Sequence, residues 1–215
     1  MPQNMLIAET ENSAEIEESL FDQGLRYFNQ SRYAQAETVW EKALPIYKKI
    51  YGENHEETAK LLSLLGITYS LQEQYQKAVS AYEQALVIYK NLYGENHEGT
   101  ANVLYLLGRT YYEQKQYQKA ESPYEQALVI YKNLYGENHE ETAKLLSLLG
   151  TTYYNQEQYQ KAVSAYEQAL PIYKSLYGEN HEETIMVKDS LEETKAKIKE
   201  FKKQTPKSKQ PGQAI

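Results

Sequence analysis

A spacing of 42 residues governs this 215-residue chain and limits it to folds built by stacking copies of one unit. Tyr51–Leu92 and Tyr135–Leu176 agree at 37 of 42 positions, and Tyr51–Leu92 and Tyr93–Leu134 agree at 32 of 42. Residues 9–50 form a more diverged copy, and a further copy begins at Tyr177 and fades. The octet YGENHEET starts at Tyr51, Tyr135 and Tyr177, and YGENHEGT starts at Tyr93.

Each unit reads as two helices separated by glycine and asparagine. Gly52 is expected to end one helix in the left-handed conformation. Asn54 is expected to cap the next, with Glu57 reaching back to complete a capping box. Asn12 with Glu15, Asn138 with Glu141 and Asn180 with Glu183 repeat that pairing. Gly99 takes the glutamate's place in the Tyr93 copy, so its helix start is expected to be weaker. The first helix of a unit spans about His55–Gln72, and after the break QEQ the second spans about Tyr75–Leu92. Leu62, Leu65 and Tyr69 recur at helical spacing on the first, as do Tyr75, Ala78, Tyr82 and Ala85 on the second. Gly66 in mid-helix costs about 1 kcal/mol relative to alanine, which calls for a close helix approach in return. Pro45, Pro123 and Pro171 inside second helices are expected to bend them.

The stretch LLGITYSLQEQYQKAVSAYEQAL resembles the tetratricopeptide repeat. Leu65, Gly66, Tyr69, Tyr75, Ala78, Tyr82 and Ala85 stand where that motif places Leu, Gly, an aromatic, an aromatic, Ala, an aromatic and Ala. Leu107, Gly108, Tyr111, Tyr117, Ala120, Tyr124 and Ala127 match again, as do Leu149, Gly150, Tyr153, Tyr159, Ala162, Tyr166 and Ala169. The first copy keeps Gly24, Tyr27, Tyr33, Ala36, Trp40 and Ala43, with Gln23 in place of Leu. The 42-residue unit with YGENHEETA at the junction is similar to the kinesin-light-chain subclass. The resemblance implies an all-α fold, a right-handed α-α superhelical solenoid with one concave side. The expected organisation is a flexible extension over 1–11 and a solenoid over 12–203. Its units are about 12–50, 54–92, 96–134 and 138–176, with a C-terminal cap helix over 181–203. A disordered tail over 204–215 would follow.

All four histidines, His55, His97, His139 and His181, lie in the junction octets. One per unit is too sparse to share an ion, and none has a second ligand at the i+4 spacing of a helical metal pair. They read as junction residues, and no metal or other cofactor is expected. Cysteine is absent, so disulfides and thiolate chemistry are excluded. No nucleophile elbow, phosphate loop or paired acids stand outside the periodicity, so no catalytic residue is assigned and the chain is not expected to be an enzyme.

The formal charge is −7, made of +6 over residues 195–215 and about −13 over the rest. An acidic body repels phosphate backbones, so no nucleic-acid partner is expected. No stretch approaches about 20 apolar residues, so no membrane partner is expected. The opening MPQNMLIAETENS lacks a basic segment followed by an apolar run, and the expected location is cytoplasmic.

Packing positions should agree between copies, whereas ligand positions can differ. Lys60/Asn102, Ser63/Tyr105, Ile67/Arg109, Ser70/Tyr112 and Leu71/Glu113 differ at spacing i, i+3, i+7, i+10 and i+11, which is one stripe of the first helix. In the family this chain resembles, that stripe lines the concave groove and holds a peptide. The implied groove residues are Phe21, Leu25, Phe28 and Asn29 in the first unit, and Lys60, Ser63, Ile67 and Ser70 in the second. The third unit supplies Asn102, Tyr105, Arg109, Tyr112 and Glu113, and the fourth Lys144, Ser147, Thr151, Tyr154 and Asn155. Aromatic members supply flat apolar area, Arg109 a fork for a carboxylate, and the asparagines pairing for a peptide backbone. Kinesin-light-chain repeats carry an asparagine pair where this chain has Ser63-Leu64, Tyr105-Leu106 and Ser147-Leu148, so cargo specificity does not carry over. The expected function is a non-catalytic protein-protein interaction scaffold with a peptide or protein segment as partner. The alternative is a self-assembling repeat protein, a homo-oligomer without a dedicated peptide ligand.

Overall fold

The computed structural model describes residues 20–204, and all regular structure among them is helical. Helix α1 includes residues 20–29, and α2 is Tyr33–Ile50. Two further hairpins pair α3 (Glu56–Leu71) with α4 (Tyr75–Tyr93) and α5 (Glu98–Glu113) with α6 (Tyr117–Tyr135). Helices α7 (Glu140–Asn155) and α8 (Tyr159–Tyr177) form another hairpin, and α9 (Glu182–Gln204) packs on α8. Two compact units meet in sequence between Leu134 and Tyr135. The expected extension over 1–11 lies outside the described residues, as do residues 205–215 of the expected tail and the Asn12–Glu15 cap.

The mid-helix glycines are explained by single aromatic rings. A Cβ added at Gly108 would lie 2.7 Å from the Tyr124 ring, and one at Gly150 would lie 2.6 Å from the Tyr166 ring. Gly66 faces Tyr82 and Gly24 faces Trp40 in the same way. Trp40, Tyr82, Tyr124 and Tyr166 are therefore buried to within 2% of full enclosure. Around them the first unit packs Leu61, Leu65 and Val103, and the second unit packs Leu145, Leu149 and Val187. The glycine's propensity cost is offset by a large aromatic ring in contact with helix backbone.

Helix starts differ from expectation. The N-cap of α3 is His55, not Asn54: its Nδ1 accepts the Glu57 N–H at 3.2 Å. His97 accepts from Gly99 N–H at 3.0 Å and His139 from Glu141 N–H at 3.2 Å. The capping bond needs a backbone N–H and no side chain two residues on, so the bond is made at Gly99 as well. Each imidazole also stacks on the tyrosine four residues earlier, with centroids 4.2–4.9 Å apart at Tyr51–His55, Tyr93–His97, Tyr135–His139 and Tyr177–His181. Asparagine could make the cap but not the stack. The threonine of the octet ties the junction across its base: Thr58 Oγ1 donates to the Gly52 carbonyl at 2.9 Å, and Thr142 to that of Gly136 at 2.9 Å.

The junction glycines have positive φ, but Gly94 (φ 82°, ψ −176°) and Gly178 (φ 88°, ψ 172°) are extended rather than left-handed helical. That region is open essentially to glycine alone. The left-handed residues sit instead in the short break inside each hairpin, at Ser31, Glu73, Lys115 and Glu157, with φ of 58–59°. There Gln74 N–H reaches the Tyr69 carbonyl at 2.8 Å and Glu73 N–H that of Ser70 at 2.9 Å, the paired bonds of a Schellman turn. Pro45, Pro123 and Pro171 lie inside α2, α6 and α8, each of which continues as one α-helix past its proline.

Candidate functional site

In the first unit, α1, α3 and α5 border one cavity of about 340 Å³. Four expected site residues meet there: Phe21 from α1, Lys60 and Ser63 from α3, and Asn102 from α5. Leu64, Leu106, Val103, Tyr89 and Gly99 complete the lining. Copy-to-copy differences could not reveal Leu64 and Leu106, because leucine fills that position in units two to four. Gly99 carries a space signal as well: a Cβ there would lie 2.5 Å from the Tyr89 ring, which covers it. Burial pushes the Tyr89 hydroxyl up to about 12, so it stays neutral at ordinary pH.

The polar members are held in place. Lys60 Nζ lies 2.8 Å from Glu57 and 3.0 Å from Glu56, which hold it protonated above its usual range. Asn102 Oδ1 accepts from the Tyr131 hydroxyl of α6 at 2.5 Å, and the residue is exposed. Ser63 Oγ donates back to the Ala59 carbonyl at 2.8 Å. The wall thus combines apolar leucines with one cation and one amide.

Further along α5, Arg109 Nε donates to Glu113 at 2.9 Å. That bond, with smaller help from Tyr105, holds the guanidinium more firmly protonated. Tyr105 packs on Tyr124 (centroids 6.3 Å) and Tyr112 on Tyr117 (5.3 Å). Arg109 is exposed, whereas Tyr105 and Tyr112 are half-buried. Ser70 was expected to face the groove, but it is only 9% exposed. Its hydroxyl lies 3.5 Å from Thr110 and donates to Glu113 at 3.1 Å, so α5 of the next hairpin covers it. Ile67 and Leu25 are half-buried against the core. Phe28 packs on Trp40 (5.8 Å) and Tyr33 (5.5 Å), and Phe21 on Trp40 (6.5 Å) and Tyr47 (6.2 Å). Asn29 is exposed at the end of α1.

In the compact unit that begins at Tyr135, the expected residues Lys144, Ser147, Thr151, Tyr154 and Asn155 are occupied internally. Ser147 is only 9% exposed. Thr151 Oγ1 meets the Tyr166 hydroxyl at 3.0 Å, and Asn155 donates to the Thr151 carbonyl at 2.8 Å. Tyr154 donates to Glu193 of α9 at 2.6 Å, a bond that pushes its hydroxyl up to about 12. Lys144 lies 3.7 Å from Glu141.

Among the described residues, no group of three or more His, Cys, Asp or Glu side chains is placed to hold a metal ion. No described helix is long and apolar enough to cross a membrane.

The tetratricopeptide-repeat profile matches residues 15–91, 72–133, 124–175 and 141–203. The chain belongs to the tetratricopeptide-repeat family. Its fold class is that of the all-α solenoids, and repeats of this family are protein-interaction scaffolds that are generally non-catalytic. Solved structures agree on the fold. A Podosopora anserina protein assigned as a kinesin light chain, with nearly identical TPR-like repeats, has a TM-score of 0.74 at 21% identity, over 86% of this chain and 88% of that one. BtubC (BKLC) from P. vanneervenii gives 0.67 at 18% identity, over 100% and 98%. A Rap protein complexed with Competence and Sporulation Factor gives 0.61 at 18% identity, over 87% of this chain and 50% of that one. No curated protein matches the sequence.

Proposed function

We propose that this tetratricopeptide-repeat protein holds a peptide or protein segment against α1, α3 and α5 of its first unit. The carrying observation is the cavity where Phe21, Lys60, Ser63 and Asn102 meet from three successive hairpins. Leu64 and Leu106 offer apolar burial to a guest side chain, Asn102 can pair with a guest backbone amide, and Lys60 favours an acceptor nearby. Arg109, Tyr105 and Tyr112 extend the same helix stripe along α5. A Rap protein of the same fold is seen complexed with Competence and Sporulation Factor, which supports this reading.

Stacking of an apolar hairpin face on the Lys188, Glu192 and Lys195 face of α9 is disfavoured, which leaves other contacts through α9 open. Lys188, Glu192 and Lys195 are exposed where α7 buries Leu146, Gly150 and Tyr153. A charged end face does not invite a second apolar one.

Peptides selected from a random displayed library against the purified chain provide the test. Their affinities are measured by fluorescence anisotropy for wild type, for Lys60→Ala/Asn102→Ala and for Arg109→Ala/Tyr112→Ala. The expected result is a loss of about tenfold or more in each double variant with unchanged helical circular dichroism. Selected peptides that bind both variants as tightly as wild type would overturn the assignment.

A further inference from the structure

The second helices of the first unit carry a pair of surface cavities outside the groove. One, of about 460 Å³, lies between the loop after α2 and helix α4. The other, of about 340 Å³, lies between the loop after α4 and helix α6. Every residue lining the second stands 42 positions after a residue lining the first. Both are apolar where they open: Val87 and Val129 are 57% and 58% exposed. Both are walled by an asparagine bridge, Asn91 to Asn54 at 3.4 Å and Asn133 to Asn96 at 3.3 Å. Both have carboxylates on the lining, Glu53 and Glu83 beside Lys48 in one, Glu95 and Glu125 in the other. An apolar opening with acidic neighbours suits an apolar side chain flanked by lysines, and a matched pair suits a segment with two such positions.

The chain contains a segment of that chemistry. Residues 195–203 carry Lys195, Lys197, Lys199, Lys202 and Lys203 around Ile198 and Phe201, with Glu200 the one acid. Phe201 is 61% exposed, and the five lysines are exposed. The charges are complementary at long range as well, +6 over residues 195–215 against about −13 elsewhere.

We infer that the twin cavities of one copy receive the lysine-rich end of α9 from a second copy. The contact joins two different surfaces. Each copy therefore carries both a donor and an acceptor for the contact. Assembly weakens as salt screens the charges. This inference is independent of the groove on α1, α3 and α5.

Sedimentation equilibrium of the full chain over a wide concentration range tests it. At low salt the weight-average mass is expected to rise with concentration above that of one chain, and to return to one chain at high salt. Two variants separate the halves of the contact: Val87→Asp/Val129→Asp in the cavities, and Lys199→Glu/Lys202→Glu/Lys203→Glu on α9. All these side chains are exposed, and circular dichroism checks that both variants fold. Each variant alone is expected to be monomeric. Mixed, they form a one-to-one pair and nothing larger, because only one intact cavity pair and one intact α9 end remain. A wild-type chain that stays monomeric at every concentration overturns the inference, as does a mixture that stays monomeric or assembly that either variant leaves unchanged. A foreign basic partner for the cavities would give the first of these outcomes.

Discussion

The Tyr93 and His97 rings stack with centroids 4.2 Å apart while His97 Nδ1 accepts the Gly99 N–H at 3.0 Å, so one imidazole both ends the loop and starts α5. His97→Ala removes cap and stack together and should cost about 1–2 kcal/mol. His97→Asn keeps an acceptor for the N–H and should cost less. Urea unfolding of the two variants checks the order, and a loss equal in both would show that the cap contributes nothing.

Gly108 and Tyr124 are complementary in shape. Gly108→Ala gains about 1 kcal/mol of helix propensity but drives a methyl to 2.7 Å from the Tyr124 ring. Overpacking of that kind costs about 1–3 kcal/mol, so the net change should be destabilising. Thermal melting of Gly108→Ala beside an exposed mid-helix alanine control measures it. A melting temperature raised by the substitution would contradict the close contact.

A close approach at the mid-helix glycine was legible in the sequence because glycine has few reasons to sit in mid-helix, but that an aromatic ring fills the space was not. Nor was the cap. Asn54 and His55 stand side by side, cap preference favours asparagine, and only the ring stack with Tyr51 selects histidine. The left-handed turn residues were equally hidden, since Ser31, Glu73, Lys115 and Glu157 have no common chemistry that marks such a conformation. At the candidate site, differences between copies pointed to Lys60, Ser63 and Asn102, which meet at the cavity. The same test was blind to Leu64 and Leu106, which units two to four share, and it included Ser70, which α5 covers.

Glu73, Lys115 and Glu157 hold φ near 59° without being glycine. An L-residue in that region is strained by about 1 kcal/mol, partly offset by the entropy that glycine loses on folding. Each substitution to glycine should therefore stabilise by about 0.5 kcal/mol, and Glu73→Gly with Lys115→Gly should be nearly additive. Chemical denaturation midpoints provide the check. A fall in stability would mean that the side chains contribute more than the backbone strain costs.

Tyr124 and Tyr166 occupy the same place in successive hairpins but differ at the hydroxyl. That of Tyr166 meets Thr151 at 3.0 Å, whereas that of Tyr124 is buried without a hydrogen-bond partner among the described residues. Burial pushes the Tyr124 hydroxyl above its ordinary range. Tyr166→Phe should cost about 1 kcal/mol through the lost bond, and Tyr124→Phe should be neutral or stabilising because no bond is lost. Equal losses in the two variants would mean that the Tyr124 hydroxyl is paired in solution.

Glu37 of α2 ties the first hairpin to the turn of the second. It accepts from Gln72 at 2.8 Å, from Gln74 at 2.9 Å and from Lys77 at 2.9 Å. Burial alone would raise its pKa, but the three donors and the Lys77 charge together hold it below the usual carboxylate range. A depressed folded-state pKa means that the carboxylate's contribution is fully present above the unfolded value of about 4.3 and is lost as pH falls through the folded value. Stability should therefore decline on acidification from about pH 5 downward. Glu37→Gln should lower stability at neutral pH, since an amide cannot replace the Lys77 ion pair, and should flatten that acid limb. Unfolding free energies of wild type and variant between about pH 7 and pH 3 decide it, and parallel curves would show that Glu37 is not linked to the fold.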